Sequence, residues 1–113
     1  MSKVTIYHNP RCTKSRQTLA LLTEQGIEPE IVEYLKESPD AKTISELVKQ
    51  LGVEPIDLIR KKEFRDLGLP DTEDADELIE LMVENPQIIQ RPIVVSGDQA
   101  RIGRPPENVL EIL

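Results

Sequence analysis

The sequence predicts an α/β protein built on a small mixed sheet, and three patterns carry that expectation. Lys3 to Tyr7 has the β-branched composition of a buried strand, a helical segment runs from about Thr13 to Gly26, and Glu30 to Tyr34 alternates as a second strand does. Two strands joined through one helix make a βαβ unit, which is parallel and right-handed. Further on, Pro92 to Ser96 and Ala100 to Gly103 flank Gly97-Asp98, a hairpin turn signal.

Each element has its own signal. Pro10 stops the first strand. The helix after it carries Leu19, Leu21 and Leu22, and Gly26 suits the position just past its end. Thr43-Ile44-Ser45-Glu46 reads as a capping box opening a helix with apolar positions Ile44, Leu47, Val48 and Leu51, stopped by Gly52. Pro55 suits the first turn of a short helix through Ile59. From Arg60 to Thr72 the charges are mixed and the apolar positions irregular, so a solvated loop is expected. Asp71 or Thr72 can cap the next helix, with Ala75, Leu78, Ile79 and Met82 as its buried stripe and Asn85-Pro86 as its end. Pro105 opens a last helix containing Val109, Leu110 and Leu113. The order is β-α-β, a helical insertion over about 43–85, then β-β-α, within one domain spanning 1–113.

Composition bounds the function. The net charge of −7 disfavours nucleic acid as a partner, because a phosphate backbone repels most of such a surface. No apolar stretch approaches the ~20 residues of a membrane span, and the N-terminus lacks the apolar core of a signal peptide, so no membrane association and a cytoplasmic location are expected. A monomer is expected. The single cysteine rules out an internal disulfide, and one cysteine with one histidine is too few soft ligands for a metal site.

That cysteine, Cys12, is the most informative residue. It lies between the first strand and the first helix, where unpaired N–H groups and the positive end of the helix dipole stabilise an anion. Arg11, Lys14 and Arg16 add positive charge at close sequence range, and all three effects favour thiolate. Ser15 stands where a dithiol redox site needs a second cysteine, and Thr18 stands where a phosphatase loop needs arginine. What remains is a monothiol nucleophile whose oxidised form is resolved from outside the chain. Ser15 is placed either to donate to the thiolate or only to fill the first helical turn. His8, four residues earlier, is within reach of the thiolate or is structural. Arg60, Arg91 and Arg104 lie at the ends of separate elements, and together with a thiolate they can clamp a tetrahedral oxyanion, because a guanidinium fork matches two oxygens and keeps its charge.

The strand order with a cysteine after the first strand is similar to the thioredoxin/glutaredoxin-like fold, a four-stranded mixed sheet flanked by helices. In that fold the proline opening the third strand lies beside the thiol and is cis; Pro92 holds that place. Thr5-Ile6-Tyr7-His8-Asn9-Pro10-Arg11-Cys12, Leu58-Ile59-Arg60, Arg91-Pro92-Ile93-Val94-Val95 and Ile102-Gly103-Arg104-Pro105-Pro106-Glu107 together resemble the glutaredoxin-coupled arsenate reductases of the ArsC family. The resemblance covers essentially the whole chain, with the motifs in the family's order. Thr13 departs from it, since some members carry glycine after the cysteine, and the chain matches a shorter arsenate reductase-like branch.

On the matching positions the resemblance implies Cys12 as nucleophile, Arg60, Arg91 and Arg104 as ligands of arsenate and arsenite, and His8 as a helper lowering the cysteine pKa. It implies an oxidoreductase with no bound cofactor, reducing arsenate with glutathione and glutaredoxin, and phosphate as a weak competitor. Two other readings remain open. One is a glutathione-dependent thiol-disulfide oxidoreductase, which has no need of the arginine trio. The other is an RNA polymerase-binding regulator resembling Spx, in which a second cysteine is usual where Ser15 stands.

Overall fold

The computed structural model describes residues 3–113. In chain order the elements are strand β1 (Val4–Tyr7), helix α1 (Thr13–Glu24), strand β2 (Glu30–Val32), helices α2 (Ala41–Leu51), α3 (Lys61–Asp66) and α4 (Ala75–Glu84), and strands β3 (Ile93–Ser96) and β4 (Gln99–Ile102). Short 3₁₀ segments occupy Pro55–Leu58, Pro86–Ile88 and Pro106–Ile112. Two compact units result: Ser38–Gln90, which is the helical segment between β2 and β3, and the rest of the chain, which holds the sheet.

In the sheet unit the strand order is β2-β1-β3-β4, with β1 parallel to β2 and β3 antiparallel to both β1 and β4. This is the mixed four-stranded sheet expected of a thioredoxin-like chain. Ile6 pairs with Val94 across β1 and β3, so the two share a face of the sheet. Ile6 and Val94 are buried with Leu22 of α1 and with Val109 and Ile112, and Val4, Leu19, Leu21 and Ile27 pack around them. Each fully buried aliphatic side chain contributes roughly 1.5–3 kcal/mol. Helix α1 turns Ser15, Thr18 and Leu22 inward, at the spacings of three and four that define one helix face. Two of these three are polar. Thr18 returns its hydroxyl to Lys14 O at 2.8 Å, and Ser15 belongs to the site described below.

The last segment differs from expectation in kind. It is 3₁₀ throughout, and a 3₁₀ helix repeats every three residues, so Pro106, Val109 and Ile112 face inward. Of the three apolar residues read into this last helix, Val109 is buried, while Leu110 and Leu113 are 41% and 44% exposed.

The helical unit also departs in detail. Helix α2 begins before the capping box: Asp40 is its N-cap, and its Oδ1 accepts from the Thr43 N–H at 2.8 Å. The Thr43 side chain and its backbone N–H, with the neighbouring Lys42 adding a smaller effect, hold the Asp40 carboxyl below its usual range. Gly52 ends the helix with a φ of 72°, a left-handed conformation that costs glycine little. Asp74, not Asp71 or Thr72, caps α4 by accepting from the Glu77 N–H at 3.0 Å, while Thr72 accepts from the Asp74 N–H and donates to Glu77 Oε2. Ala75 lies on the exposed side of that helix, leaving Leu78 and Met82 as its buried pair.

The stretch read as a loop between Arg60 and Thr72 contains α3. It has no fully buried residue, and ion pairs three and four residues apart, Arg60–Glu63 and Lys62–Asp66, support it. Among the described residues no helix is long and apolar enough to cross a membrane.

Candidate active site

Cys12 is the N-cap residue of α1, in extended conformation, with its N–H donated to Asn9 O at 3.0 Å. Asn9 and Pro10 force the turn between β1 and α1. The Asn9 side chain accepts from the Arg11 N–H at 3.0 Å, as asparagine does when it closes a turn on its own backbone. The loop is thereby shaped by local bonds, and the thiol is left partly exposed at the helix start.

Two cations come to the sulfur from the far side of the sequence. Arg104 Nη2 lies 3.5 Å from Cys12 Sγ, and its Nε donates to Arg91 O at 2.8 Å, tying the two arginines to each other. Arg91 is half-buried, and its buried Nε–H meets no acceptor among the described residues. Such a donor costs about 1–3 kcal/mol until something accepts from it. Burial pushes the Cys12 thiol up, but the Ser15 backbone N–H, the Arg91 side chain and the charges of Arg91 and Arg104 outweigh it and leave the thiol below its ordinary range. The sulfur makes no side-chain cap bond to the helix, so the Ser15 N–H acts as a nearby dipole more than as a formal cap.

The source of this charge corrects the sequence reading. Arg11, Lys14 and Arg16 are exposed, and the Arg16 guanidinium turns back to Pro10 O at 3.1 Å and Thr13 Oγ1 at 3.3 Å. Ser15 differs too: its hydroxyl accepts from the Asn9 N–H at 3.0 Å and shares a 2.6 Å bond with His8 Nδ1, so the side chain is committed away from the sulfur. His8 is buried at the end of β1. Burial lowers its pKa, with Arg16 adding to the effect and Glu33 opposing it. Its ring is therefore neutral at pH 7 and supplies no positive charge to a thiolate.

Pro92 is buried beside this group, and the cis bond expected at Arg91–Pro92 is present; Arg104–Pro105 is cis as well. Gly103 donates its N–H to Pro92 O at 2.9 Å. A Cβ on Gly103 would stand 2.5 Å from Thr18 Oγ1 and 2.9 Å from Pro92 Cγ, so this position admits no side chain. Sequence pattern gives no sign of this contact between Gly103 and Thr18, because it is an approach between segments far apart in the chain.

Arg60 stands in the helical unit. It is the N-cap residue of α3, its N–H donates to Ile88 O at 2.7 Å, and its guanidinium is paired with Glu63. Among the described residues no group of three or more His, Cys, Asp or Glu side chains is placed to hold a metal ion.

The lowered thiol has a direct consequence in solution. Alkylation of Cys12 by iodoacetamide, followed against pH, is expected to show a midpoint below the free-thiol value of about 8.5, since only the thiolate reacts. A midpoint at or above that value would mean that burial outweighs the two arginines.

Comparison with known proteins agrees with this arrangement. The model described as "ArsC family" matches residues 7–112. The chain is 53% identical over 115 residues to YfgD, an uncharacterized protein of Escherichia coli K12, covering 98% of this chain and 97% of that one. It is 44% identical over 114 residues to an arsenate reductase of Haemophilus influenzae Rd, covering 97% and 98% of the two chains. A solved arsenate reductase from Vibrio cholerae superposes with a TM-score of 0.92 at 49% identity, covering 99% of this chain and 98% of that one. The match of the family model over nearly the whole chain, the end-to-end similarity to these relatives and the close superposition on a solved one lead to one assignment: the chain belongs to the ArsC family.

Proposed function

We propose that this protein reduces arsenate to arsenite, with Cys12 as nucleophile and with glutathione and glutaredoxin supplying the electrons. The observation that carries the reading is the pairing of a low-pKa thiol with two guanidinium groups, one at 3.5 Å and the other with a buried N–H awaiting an acceptor. Disulfide exchange has no use for such a pair. A tetrahedral oxyanion does, because it brings several negative oxygens to the nucleophile and must be neutralised before a thiolate can approach.

In the proposed reaction the Cys12 thiolate attacks arsenic(V), an As–S bond forms, and an As–O bond breaks with its oxygen leaving as water. Overall, arsenate and two thiols give arsenite, one disulfide and one water, arsenic gaining the two electrons that the sulfurs lose. This chain has a single cysteine, so a second thiol must come from another molecule, which is the place glutathione takes. Arg91 and Arg104 hold the oxyanion at the sulfur. His8 acts indirectly: its bond to the Ser15 hydroxyl fixes the residue whose N–H helps stabilise the thiolate.

An NADPH-coupled assay containing glutathione, glutathione reductase and glutaredoxin tests this. NADPH consumption is expected only when arsenate is added, and omitting glutaredoxin should stop it. Turnover of a glutathione mixed disulfide with no response to arsenate would replace this reading by a thiol-disulfide oxidoreductase.

A further inference from the structure

We infer that the groove between helix α1 and the segment 105–107 seats glutathione, with Lys14 taking its glycine carboxylate and Glu107 its ammonium group. The inference rests on the proposed use of glutathione as the second thiol and says where that molecule lies. One wall of the groove is a face of α1: Lys14, Gln17 and Leu21 line it at spacings of three and four residues, and Glu24 continues it. The other wall is Pro105, Pro106 and Glu107, and all of these residues belong to the sheet unit. From Lys14 to Glu24 the helix rises about 15 Å, and an extended tripeptide spans about 10 Å, so the groove is long enough. Its volume of about 480 Å³ is in the range of small-molecule sites.

Both walls start at the sulfur. Cys12 caps the helix whose first turn carries Lys14, and Pro105 follows Arg104, whose Nη2 lies 3.5 Å from Cys12 Sγ. Both walls then lead away from it, since Val109, beyond Glu107, packs with Leu22, beyond Leu21. The charges are sorted along the groove, with the cation Lys14 at the sulfur end and the carboxylates of Glu107 and Glu24 further down. Among the described residues neither Lys14 nor Glu107 is ion-paired with another side chain. The charges that lower the thiol are those of Arg91 and Arg104, so the Lys14 cation is left to the groove.

Glutathione carries the complementary pattern. Its glycine carboxylate is one residue from its thiol, which suits Lys14 beside the sulfur. Its ammonium ends the longer γ-glutamyl arm, which suits Glu107. Between the two, Leu21 and the proline rings offer an apolar stretch to the methylenes of that arm. An inorganic oxyanion has no group for the acidic end.

The probe is S-methylglutathione, which keeps every charge of glutathione but has no free thiol. It is expected to shift the backbone amide resonances of Lys14, Gln17 and Glu107, and to compete with glutathione but not with arsenate in the coupled assay. Lys14→Ala and Glu107→Gln should each weaken its binding by about fivefold, the upper range for a solvent-exposed ion pair. Both residues are exposed, so the fold should tolerate the changes. The same probe with its glycine carboxylate ethyl-esterified should bind wild type about fivefold more weakly and lose nothing further in Lys14→Ala, because both changes remove one contact. The arsenate KM and the Cys12 alkylation midpoint should be unchanged in Lys14→Ala.

Wild-type probe binding by Lys14→Ala, shifts confined to another face, or groove resonances that respond to glutaredoxin but not to the probe would each overturn the inference and leave arsenate reduction standing. A loss in Lys14→Ala that is equally large for the esterified probe would overturn the pairing of Lys14 with the glycine carboxylate. Failure of the arsenate reading shows separately, as NADPH consumption that ignores arsenate, and the probe titration then still decides the groove.

Discussion

Cys12→Ser is expected to give a folded protein with arsenate reduction lost by at least about 10³-fold, the scale seen when a nucleophile is removed from its site. Serine matches cysteine closely in size, but its hydroxyl stays protonated under conditions where the low-pKa Cys12 is thiolate, and no As–S bond can form. The fold should be indifferent. Cys12 makes no disulfide and is partly exposed, so its melting midpoint should move by no more than about 3 °C. Arsenate-dependent NADPH consumption and thermal melting followed by circular dichroism check the two halves. Turnover retained in the serine variant would remove Cys12 from the mechanism.

Arg91→Ala has the next largest expected effect, for two reasons that act in the same direction. Its side chain and charge help hold the thiol below its ordinary range, and its buried Nε–H is the donor with most to gain from an oxyanion. Removing it should lower kcat/KM for arsenate by about 10²–10³-fold, the effect of deleting one preorganised donor from a site where charge develops. The midpoint of Cys12 alkylation should rise at the same time. Because the thiolate is the reactive form, activity lost in the variant should be partly recovered at higher pH, an increase steeper than in the wild type. Arg91→Lys should fall between the two, keeping charge without the fork. Arg104→Ala should cost less than Arg91→Ala, since Arg104 is exposed and its charge is better screened. An Arg91→Ala variant with unchanged kcat/KM and an unchanged alkylation midpoint would leave the oxyanion reading without its main support.

The strands and first helix are legible from sequence because their signals are local. Val4-Thr5-Ile6 is β-branched, Pro10 interrupts, and Gly26 and the Gly97-Asp98 pair mark ends and turns. Helix α3 is not legible, since six residues with no fully buried member leave no apolar stripe to detect. Nor does composition separate a 3₁₀ from an α-helical continuation at Pro106–Ile112, where the period of three turns Pro106, Val109 and Ile112 inward and leaves Leu110 exposed. Within the candidate site, Cys12 at the head of a helix follows from the motif, but the origin of its positive surroundings does not. Nearest neighbours in sequence on a helix start splay outward into solvent, as Arg11, Lys14 and Arg16 do. The groups that reach the sulfur come from residues about 80 and 90 positions away, brought there by the β1–β3 pairing and the β3–β4 hairpin.

The contact at Gly103 bears on how this electrostatic field is assembled. Arg91 precedes Pro92, Arg104 follows Gly103, and Thr18 sits two turns into the helix that begins at Cys12. Because Gly103 fits against Thr18 and Pro92 with no room for even a methyl group, the three segments carrying the nucleophile and two cations are locked as one rigid mount. The distance between sulfur and guanidinium is then a property of main-chain packing, set when the chain folds. Dipoles and charges already aimed at the reacting atom need not reorganise when the anion arrives, and that reorganisation is the cost water imposes on the same reaction.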